Sequence, residues 1–221
     1  MSEKSLTPVI GKLENLFSSL NSQFFNGKLQ RPVITVSPDT TKGAYGWCTG
    51  WRAWTDKEPK PFSEMTPEEV EALKTDGYYE INLCAEHIAR PFVEIAETLL
   101  HEMIHLYNLH IGVQDTSRNG FYHNKKFKEA AEKHGLICTK TAKYGYSETA
   151  LNDEAKAFIQ SLGSTKFELY RKPVMKMGGA SKTKQSSRKY VCPCCGAIIR
   201  ATKEVNVVCG DCDVAFEESE G

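Results

Sequence analysis

Apolar residues recur at helical spacing in two long stretches of the chain. Within residues 10–24 every third or fourth position is apolar, which predicts an amphipathic helix that stops at Asn26 and Gly27. A wider apolar face spans residues 92–107 and is opened by Pro91. The second stretch is the strongest helix candidate in the sequence.

Shorter stretches carry strand, turn and cap signals. Thr66 followed by Pro67 predicts the start of a short helix, with Thr66 as its cap. The predicted fold class is α+β. The other predicted elements are strands at 33–36 and 78–83, a strand or hairpin at 44–54, a loop at 56–67, and helices at 124–134 and 147–162.

Composition narrows the class of protein. The chain has 221 residues, 40% of them hydrophobic, and a formal net charge of zero, so no global field would recruit nucleic acid or a membrane. The N-terminus lacks the apolar core of a signal peptide, and no stretch reaches the roughly 18 apolar residues of a membrane span. We therefore expect a cytoplasmic protein with no membrane partner, of bacterial or phage rather than nuclear type.

Charge and cysteine content divide the chain into three parts. Residues 171–189 hold seven Lys or Arg and no acidic residue, and their Gly- and Ser-rich composition is typical of a flexible linker. Two Cys-x-x-Cys pairs follow within the last thirty or so residues. We predict a main domain at 1–168, a flexible basic linker at 169–189 and a small zinc ribbon at 190–221.

The C-terminal cysteines have the spacing of a zinc site. Two knuckles separated by 13 residues supply four thiolates, which can surround Zn²⁺ at about 2.3 Å. Such a site would hold together a unit too short to fold on its own core. A redox pair is the alternative, and Cys194 is read as the intervening residue of the first knuckle. The predicted ligands are Cys192, Cys195, Cys209 and Cys212.

The strongest helix candidate carries a His-Glu-x-x-His segment. His101 and His105 are four residues apart, so they lie on one helix face and can bind one Zn²⁺ at about 2.0–2.1 Å from each nitrogen. Glu102 lies beside that position, where a carboxylate can take a proton from the attacking water and pass it to a leaving amine. Chance is the alternative, but unliganded imidazoles in so apolar a helix would need other partners. The segment predicts a hydrolase that uses metal-activated water.

Four other histidines compete for the third ligand position. His110 would face away from the metal on a continuing helix. His134 is better placed to cap the end of the next helix, where a positive group is favourable. His87 stays open as an alternative. His123 is preferred because it follows a loop that can return the chain to the first two ligands.

Residues 98–105 (TLLHEMIH) and 123–127 (HNKKF) resemble the SprT-like metalloprotease domain, the family of the Spartan DNA–protein crosslink protease. The similarity covers roughly residues 10–165 and includes 16–29, 43–48 and 80–83. It implies a zincin-like fold, in which the His-Glu-x-x-His helix packs on a small antiparallel sheet, and a zinc ribbon after the domain. It also implies one catalytic and one structural Zn²⁺. The implied site consists of the zinc ligands His101, His105 and His123 and the general base or acid Glu102.

Two functions of different classes fit the sequence. The preferred one is a zinc endopeptidase with a protein substrate, acting on DNA-associated or DNA-crosslinked proteins, with single-stranded DNA or DNA–protein complexes as candidate partners. The alternative is a nucleic-acid-associated binding protein whose zinc sites are structural or regulatory. Another hydrolase, such as a peptidase restricted to one small substrate, stays open as a third function. An aromatic cluster could stack unpaired bases, although core packing is favoured for at least two of its members. The cluster consists of Tyr45, Trp47, Trp51 and Trp54.

Overall fold

A computed structural model describes residues 4–38, 43–58, 60–163, 165–172 and 187–219. The chain divides into two compact units, Met1–Pro173 and Val174–Gly221. In the first unit the helices are α1 (Thr7–Phe25), α2 (Pro67–Ala72), α3 (Phe92–His110), α4 (Lys125–Lys133) and α5 (Asp153–Ser161). Its strands are β1 (Val33–Ser37), β2 (Gly46–Cys48), β3 (Glu80–Cys84), β4 (Thr116–Ser117), β5 (Tyr122–His123), β6 (Leu136–Thr141) and β7 (Gly145–Leu151).

The two long helices α1 and α3 supply much of the core of this unit. Both were predicted from apolar spacing, and both are confirmed. Helix α1 ends where the sequence indicates, because Asn26 takes the left-handed conformation with φ 55° and Gly27 follows with φ 68°. In α3 the apolar side is shielded from solvent, with Leu99 and Met103 0% exposed. The two helices contact each other, so their apolar faces share one core.

A three-stranded sheet in the order β1-β3-β2 packs against α3. The predicted antiparallel sheet is correct only for β2 and β3, because β1 and β3 run parallel, with Ile34 opposite Ile81 and Val36 opposite Leu83. The connection from Ser37 to Glu80 carries the chain back to the end at which β1 begins, which makes a parallel pair. Helix α2 lies in this connection. Its predicted cap is confirmed as a full capping box formed by Thr66 and Glu69.

A second sheet has the strand order β4-β5-β7-β6. These strands were not predicted from the sequence. The helix predicted at 147–162 is wrong in its first third, since Gly145–Leu151 is a strand and only Asp153–Ser161 is helical. Glu, Ala and Leu in the strand are good helix formers, but antiparallel pairing with β6 outweighs that local preference. This sheet matters because it carries β5 to the histidines of α3.

The second unit is a small three-stranded sheet around the C-terminal cysteines. Its strands are β8 (Arg188–Val191), β9 (Ile198–Ala201) and β10 (Glu217–Ser219), in the antiparallel order β10-β8-β9. Tyr190 is buried on β8 and its hydroxyl accepts a hydrogen bond from the backbone N–H of Val205. The predicted linker at 169–189 falls largely on residues 173–186, which lie outside the described residues. None of the helices in the described part combines the length and apolar character that crossing a bilayer requires.

Candidate metal centres

Helix α3 presents His101 and His105 one turn apart, with ring centroids separated by 5.2 Å. Neighbouring residues Leu100, Met103 and Ile104 are 0% exposed. Rotation of the helix about its axis would expose these side chains to water, so core packing fixes the direction of both imidazoles. The sequence spacing therefore produces the expected shared face.

His123 reaches the same place from β5. Its Nε2 lies 3.1 Å from the Nε2 of His101 and 3.1 Å from the Nε2 of His105. The backbone N–H of His123 donates to the carbonyl of Tyr144 at 2.9 Å, beside Gly145 of β7. Gly145 has φ 70°, and a Cβ at this position would lie 2.0 Å from the carbonyl oxygen of His123, so the close approach requires glycine. The fold thus brings together the three histidines that the sequence predicts as ligands.

The outer nitrogens of two of these rings have defined partners. The Nδ1 of His105 donates to a carboxylate oxygen of Asp115 at 2.8 Å, and the same oxygen accepts from the Asn108 amide at 2.9 Å. The Nδ1 of His101 lies 3.2 Å from the hydroxyl of Thr149 on β7. A ring that donates from Nδ1 keeps the lone pair on Nε2 available for a cation. Asp115 is 7% exposed and was missed in the sequence.

Glu102 lies beside the histidine group and is 6% exposed. The pKa of its carboxyl is raised from 4.5 to about 7, mainly because burial disfavours the charged form. The nearby His105 lowers this pKa by a smaller amount, and the negative charge of Asp115 raises it. Strand β2 passes close by, because a Cβ added to Gly46 would lie 3.3 Å from the Cγ of Glu102. The carboxyl is therefore held against an edge strand in a water-poor environment.

Two of the three histidines are held in the neutral form, which a divalent cation requires of its ligands. Burial, with the neighbouring imidazoles, lowers the pKa of His101 well below 6.5 and that of His123 to about 4. Burial also opposes charge on His105, but the hydrogen bond and charge of Asp115 outweigh it and raise the pKa of that ring. Nitrogen lone pairs that face one another at 3.1 Å repel unless a proton or a cation lies between them. A shared Zn²⁺ satisfies all three nitrogens, so the residues fit this metal.

The remaining histidines lie outside this group. His134 is at the end of α4 as predicted, but its Nδ1 is hydrogen-bonded to the Phe24 carbonyl at 2.6 Å and its ring stacks on Phe25. Burial lowers the pKa of His134, so the ring favours the neutral form rather than the positive cap expected from the sequence. The ring of His110 lies against that of Tyr79, with centroids 5.8 Å apart, and His87 lies in the turn Ala85–His87. Neither comes to the histidine group.

The second unit holds a group of four cysteines. The sulfurs of Cys192, Cys195, Cys209 and Cys212 all lie within 4.8 Å of one another. Each knuckle is a tight turn, in which Gly196 N–H donates to the Cys192 carbonyl and Asp213 N–H to the Cys209 carbonyl. Backbone N–H groups of the first knuckle, above all that of Cys195, lower the pKa of the Cys192 thiol to about 7 and favour a thiolate. Tetrahedral thiolates suit Zn²⁺, and Cys194 is exposed outside this group.

The aromatic cluster is more exposed than the sequence suggested. Tyr45 is 51% exposed, Trp51 68% and Trp54 44%, whereas Trp47 is half-buried. Core packing of at least two members is therefore wrong. Two of the exposed rings have defined contacts: Trp54 donates from its indole N–H to Glu80, and the Arg90 guanidinium lies 4.0 Å from the centre of the Tyr45 ring.

Comparison with known proteins gives one family. The model of the SprT-like family matches residues 13–144, which include the three histidines, Glu102 and Asp115. Searches of curated proteins and of solved structures gave no match.

Proposed function

Because the chain belongs to the SprT-like family, we propose that it is a zinc-dependent endopeptidase with a zincin-type catalytic centre. The observation that carries the proposal is the convergence of three imidazole Nε2 atoms, with distances of 3.1 Å from His123 to each of the α3 histidines, beside the buried Glu102. Three neutral nitrogen ligands and one nearby carboxylate form the set of groups that metal-assisted amide hydrolysis requires.

In this proposal each residue of the centre has one role. His101, His105 and His123 hold the metal, and Asp115 fixes the ring of His105. Zinc, when bound, would lower the pKa of a coordinated water and polarise the scissile carbonyl. Glu102 takes the proton from the attacking water and delivers it to the leaving amine. No covalent enzyme intermediate is involved.

The position of Glu102 supports that role. A general base works best when its pKa is close to the working pH, and burial is the largest of the effects that bring the pKa of this carboxyl to about 7. Strand β2 is the edge of its sheet and lies against Glu102 through Gly46. A side chain at position 46 would occupy the space next to the carboxyl, so glycine keeps this approach open.

The second zinc is proposed to be structural. The four cysteines of the second unit supply thiolates and no open position, which is typical of a site that stabilises a fold. We further propose protein substrates that are associated with or crosslinked to DNA, with single-stranded DNA or DNA–protein complexes as partners. A cytoplasmic location is proposed with them.

The test measures cleavage by the full chain loaded with zinc. Casein and the chain itself are offered as substrates with and without single-stranded DNA, and a chelator serves as the metal control. We expect wild-type protein to cleave, and Glu102→Gln to retain zinc while losing cleavage by at least about a hundredfold. A fully active Glu102→Gln variant would refute the mechanism. DNA binding without proteolysis under every condition would instead favour the binding-protein alternative.

A further inference from the structure

Arg90 lies at one end of the gap between β2 and α3 in which Glu102 is held. A Cβ added to Gly46 of β2 would lie 3.2 Å from the Cγ2 of Thr98 and 3.3 Å from the Cγ of Glu102, so the strand passes over two successive turns of the helix. The Nη2 of Arg90 donates to the hydroxyl of Thr98 at 2.9 Å. Thr98 precedes Glu102 by one turn, about 6 Å along the helix axis, so the guanidinium lies near this carboxyl and outside the histidine group.

Three contacts fix the Arg90 side chain in this position. Besides the bond to Thr98, its Nε donates to the carbonyl of His87 at 3.0 Å. Its guanidinium carbon lies 4.0 Å from the centre of the Tyr45 ring, which is a cation–π contact. The ring of His87 packs edge-on against the same Tyr45 ring, with centroids 4.8 Å apart. Arg90 is half-buried and Tyr45 is 51% exposed, so the pair borders solvent.

The charge of Arg90 has no bonded counterion, since the guanidinium forms no ion pair in the part of the chain that the structure describes. Burial disfavours the charge and lowers the pKa of Arg90 below 12.5, and Glu94 and Glu97 act in the opposite direction from beyond bonding distance. The two hydrogen bonds use two of its five N–H donors. A carboxylate that accepts from the others would form a charge-assisted pair, so Arg90 is suited to bind an acidic group from outside the chain.

An extended peptide that binds along β2 would pass this arginine. The Tyr45 carbonyl accepts a hydrogen bond from β3, and backbone groups of successive strand residues point to opposite sides, so those of Gly46 point to the free edge of the sheet. A peptide that pairs with this edge crosses Glu102 beside Gly46 and advances about 3.3 Å per residue. A side chain about two residues from the bond above Glu102 then lies level with Arg90.

We propose that Arg90, oriented by the Tyr45 ring, is a specificity subsite that binds the carboxylate of an Asp or Glu side chain of the substrate, about two residues from the cleaved bond. The planar guanidinium donates to both carboxylate oxygens, whereas a Lys side chain at the same place is repelled. The inference rests on the proposed function, because it states which protein segments the histidine centre cleaves. The alternative is that Arg90 only ties the turn before α3 to that helix.

The first experiment identifies the preferred residues around the cleaved bond. The full zinc-loaded chain digests denatured casein, and mass spectrometry gives the residues on both sides of each cut. We expect Asp and Glu to be enriched at one position within about three residues of the cut. A casein peptide with such a site is then made with Glu or with Gln at that position. The Glu peptide should have the higher kcat/KM by about tenfold or more, the effect of one hydrogen bond to a charged group.

Variants of Arg90 separate recognition from a structural role. Arg90→Gln keeps a donor for the Thr98 hydroxyl but loses the charge, and it should abolish the difference between the two peptides. Arg90→Glu should invert the preference, so that a peptide with Lys at this position is cleaved faster than the Glu peptide; damage to the fold cannot produce an inversion. Arg52→Ala is the matched control, because Arg52 also lies over an aromatic ring, that of Tyr79 at 4.8 Å, but before β3. It should retain the wild-type preference.

A binding measurement gives a readout that does not depend on cleavage. Two labelled peptides of ten residues, alternating Ala with Glu or Ala with Gln, are bound to zinc-loaded Glu102→Gln and followed by fluorescence anisotropy. The Glu peptide should bind about tenfold more tightly, and adding Arg90→Gln should remove the difference. Zinc content and denaturant unfolding of each variant show that it is loaded and folded.

Three results would overturn the subsite. They are casein cuts without acidic enrichment, a preference for Glu that survives in Arg90→Gln, and a preference for Glu over Lys that survives in Arg90→Glu. The proposed enzyme function fails separately: it fails if no condition gives cleavage, and the subsite still stands if the binding difference is present and depends on Arg90. Equal binding of the two labelled peptides together with absent cleavage would refute both.

Discussion

Asp115 is the residue outside the metal ligands whose removal should change the histidine centre most clearly. One of its carboxylate oxygens accepts two hydrogen bonds, from the Nδ1 of His105 at 2.8 Å and from the Asn108 amide at 2.9 Å. In Asp115→Ala the His105 ring loses the group that fixes its tautomer and orientation. The buried Asn108 amide loses its partner at the same time.

The effect of Asp115→Ala on zinc affinity and on stability can be estimated. Removing a carboxylate that supports a metal-binding histidine lowers metal affinity by about 10–100-fold, which corresponds to about 1.4–2.8 kcal/mol. Asn108 is 1% exposed, so leaving its amide unpaired should destabilise the metal-free fold on the order of 1–3 kcal/mol. Asp115→Asn retains an oxygen acceptor but loses the charge, and it should lie between the wild type and Asp115→Ala in both measurements.

Zinc affinity is measured by competition with a chromophoric chelator, and stability by denaturant unfolding of the metal-free chain. Thr149→Val is the matched control: it removes a neutral hydroxyl 3.2 Å from the Nδ1 of His101, and it should lower zinc affinity by less than about tenfold. The reasoning fails if Asp115→Ala binds zinc as tightly as the wild type. It fails equally if Thr149→Val has the larger effect, because the carboxylate would then not be the main support.

Two further experiments test the rest of the architecture. Gly145→Ala should destabilise the fold by on the order of 1–3 kcal/mol and weaken zinc binding, because its Cβ would overlap the His123 carbonyl. Gly163→Ala is the control, since Gly163 has φ 81° but no described atom lies within 4 Å of the new Cβ. In the same denaturant unfolding assay it should show only the smaller cost of backbone strain. Metal analysis of the purified chain should give two zincs, falling to one in His123→Ala and to one in Cys209→Ser; an unchanged content in either would disprove that site.

Local sequence signals predict the structure correctly where it is determined by residues that are close together in the sequence. The stop of α1 at Asn26 follows from the left-handed conformation that Asn and Gly accept, and the start of α2 from the Thr66 cap. The shared face of His101 and His105 follows from four-residue spacing on a helix. Each of these depends on fewer than six consecutive residues, so the sequence alone predicts them.

Features that depend on contacts between residues far apart in the sequence were either not predicted or were predicted only from the family resemblance. Strand β7 looks helical in isolation and becomes a strand because β6 pairs with it. Asp115 has no local signal, since its role depends on the loop after α3 folding back on His105. Spacing gives only weak support for His123 over His87 as the third ligand, because no rule of spacing specifies how a chain returns across a sheet. The stronger support comes from the resemblance to the SprT-like family.

The part of the chain that supports the histidine centre extends beyond the family match. The match ends at residue 144, one position before Gly145, which permits the approach of β7 to His123. Beyond it also lie Thr149, which contacts His101, and buried apolar residues of the same core, including Ile159 and Phe167, 0% and 4% exposed. Removing buried side chains of this size destabilises a core by about 2–5 kcal/mol each, so losing several of them together would remove much of the roughly 5–15 kcal/mol by which a domain is stable. The ligands lie within the match, but the fold that holds them in place requires residues after it.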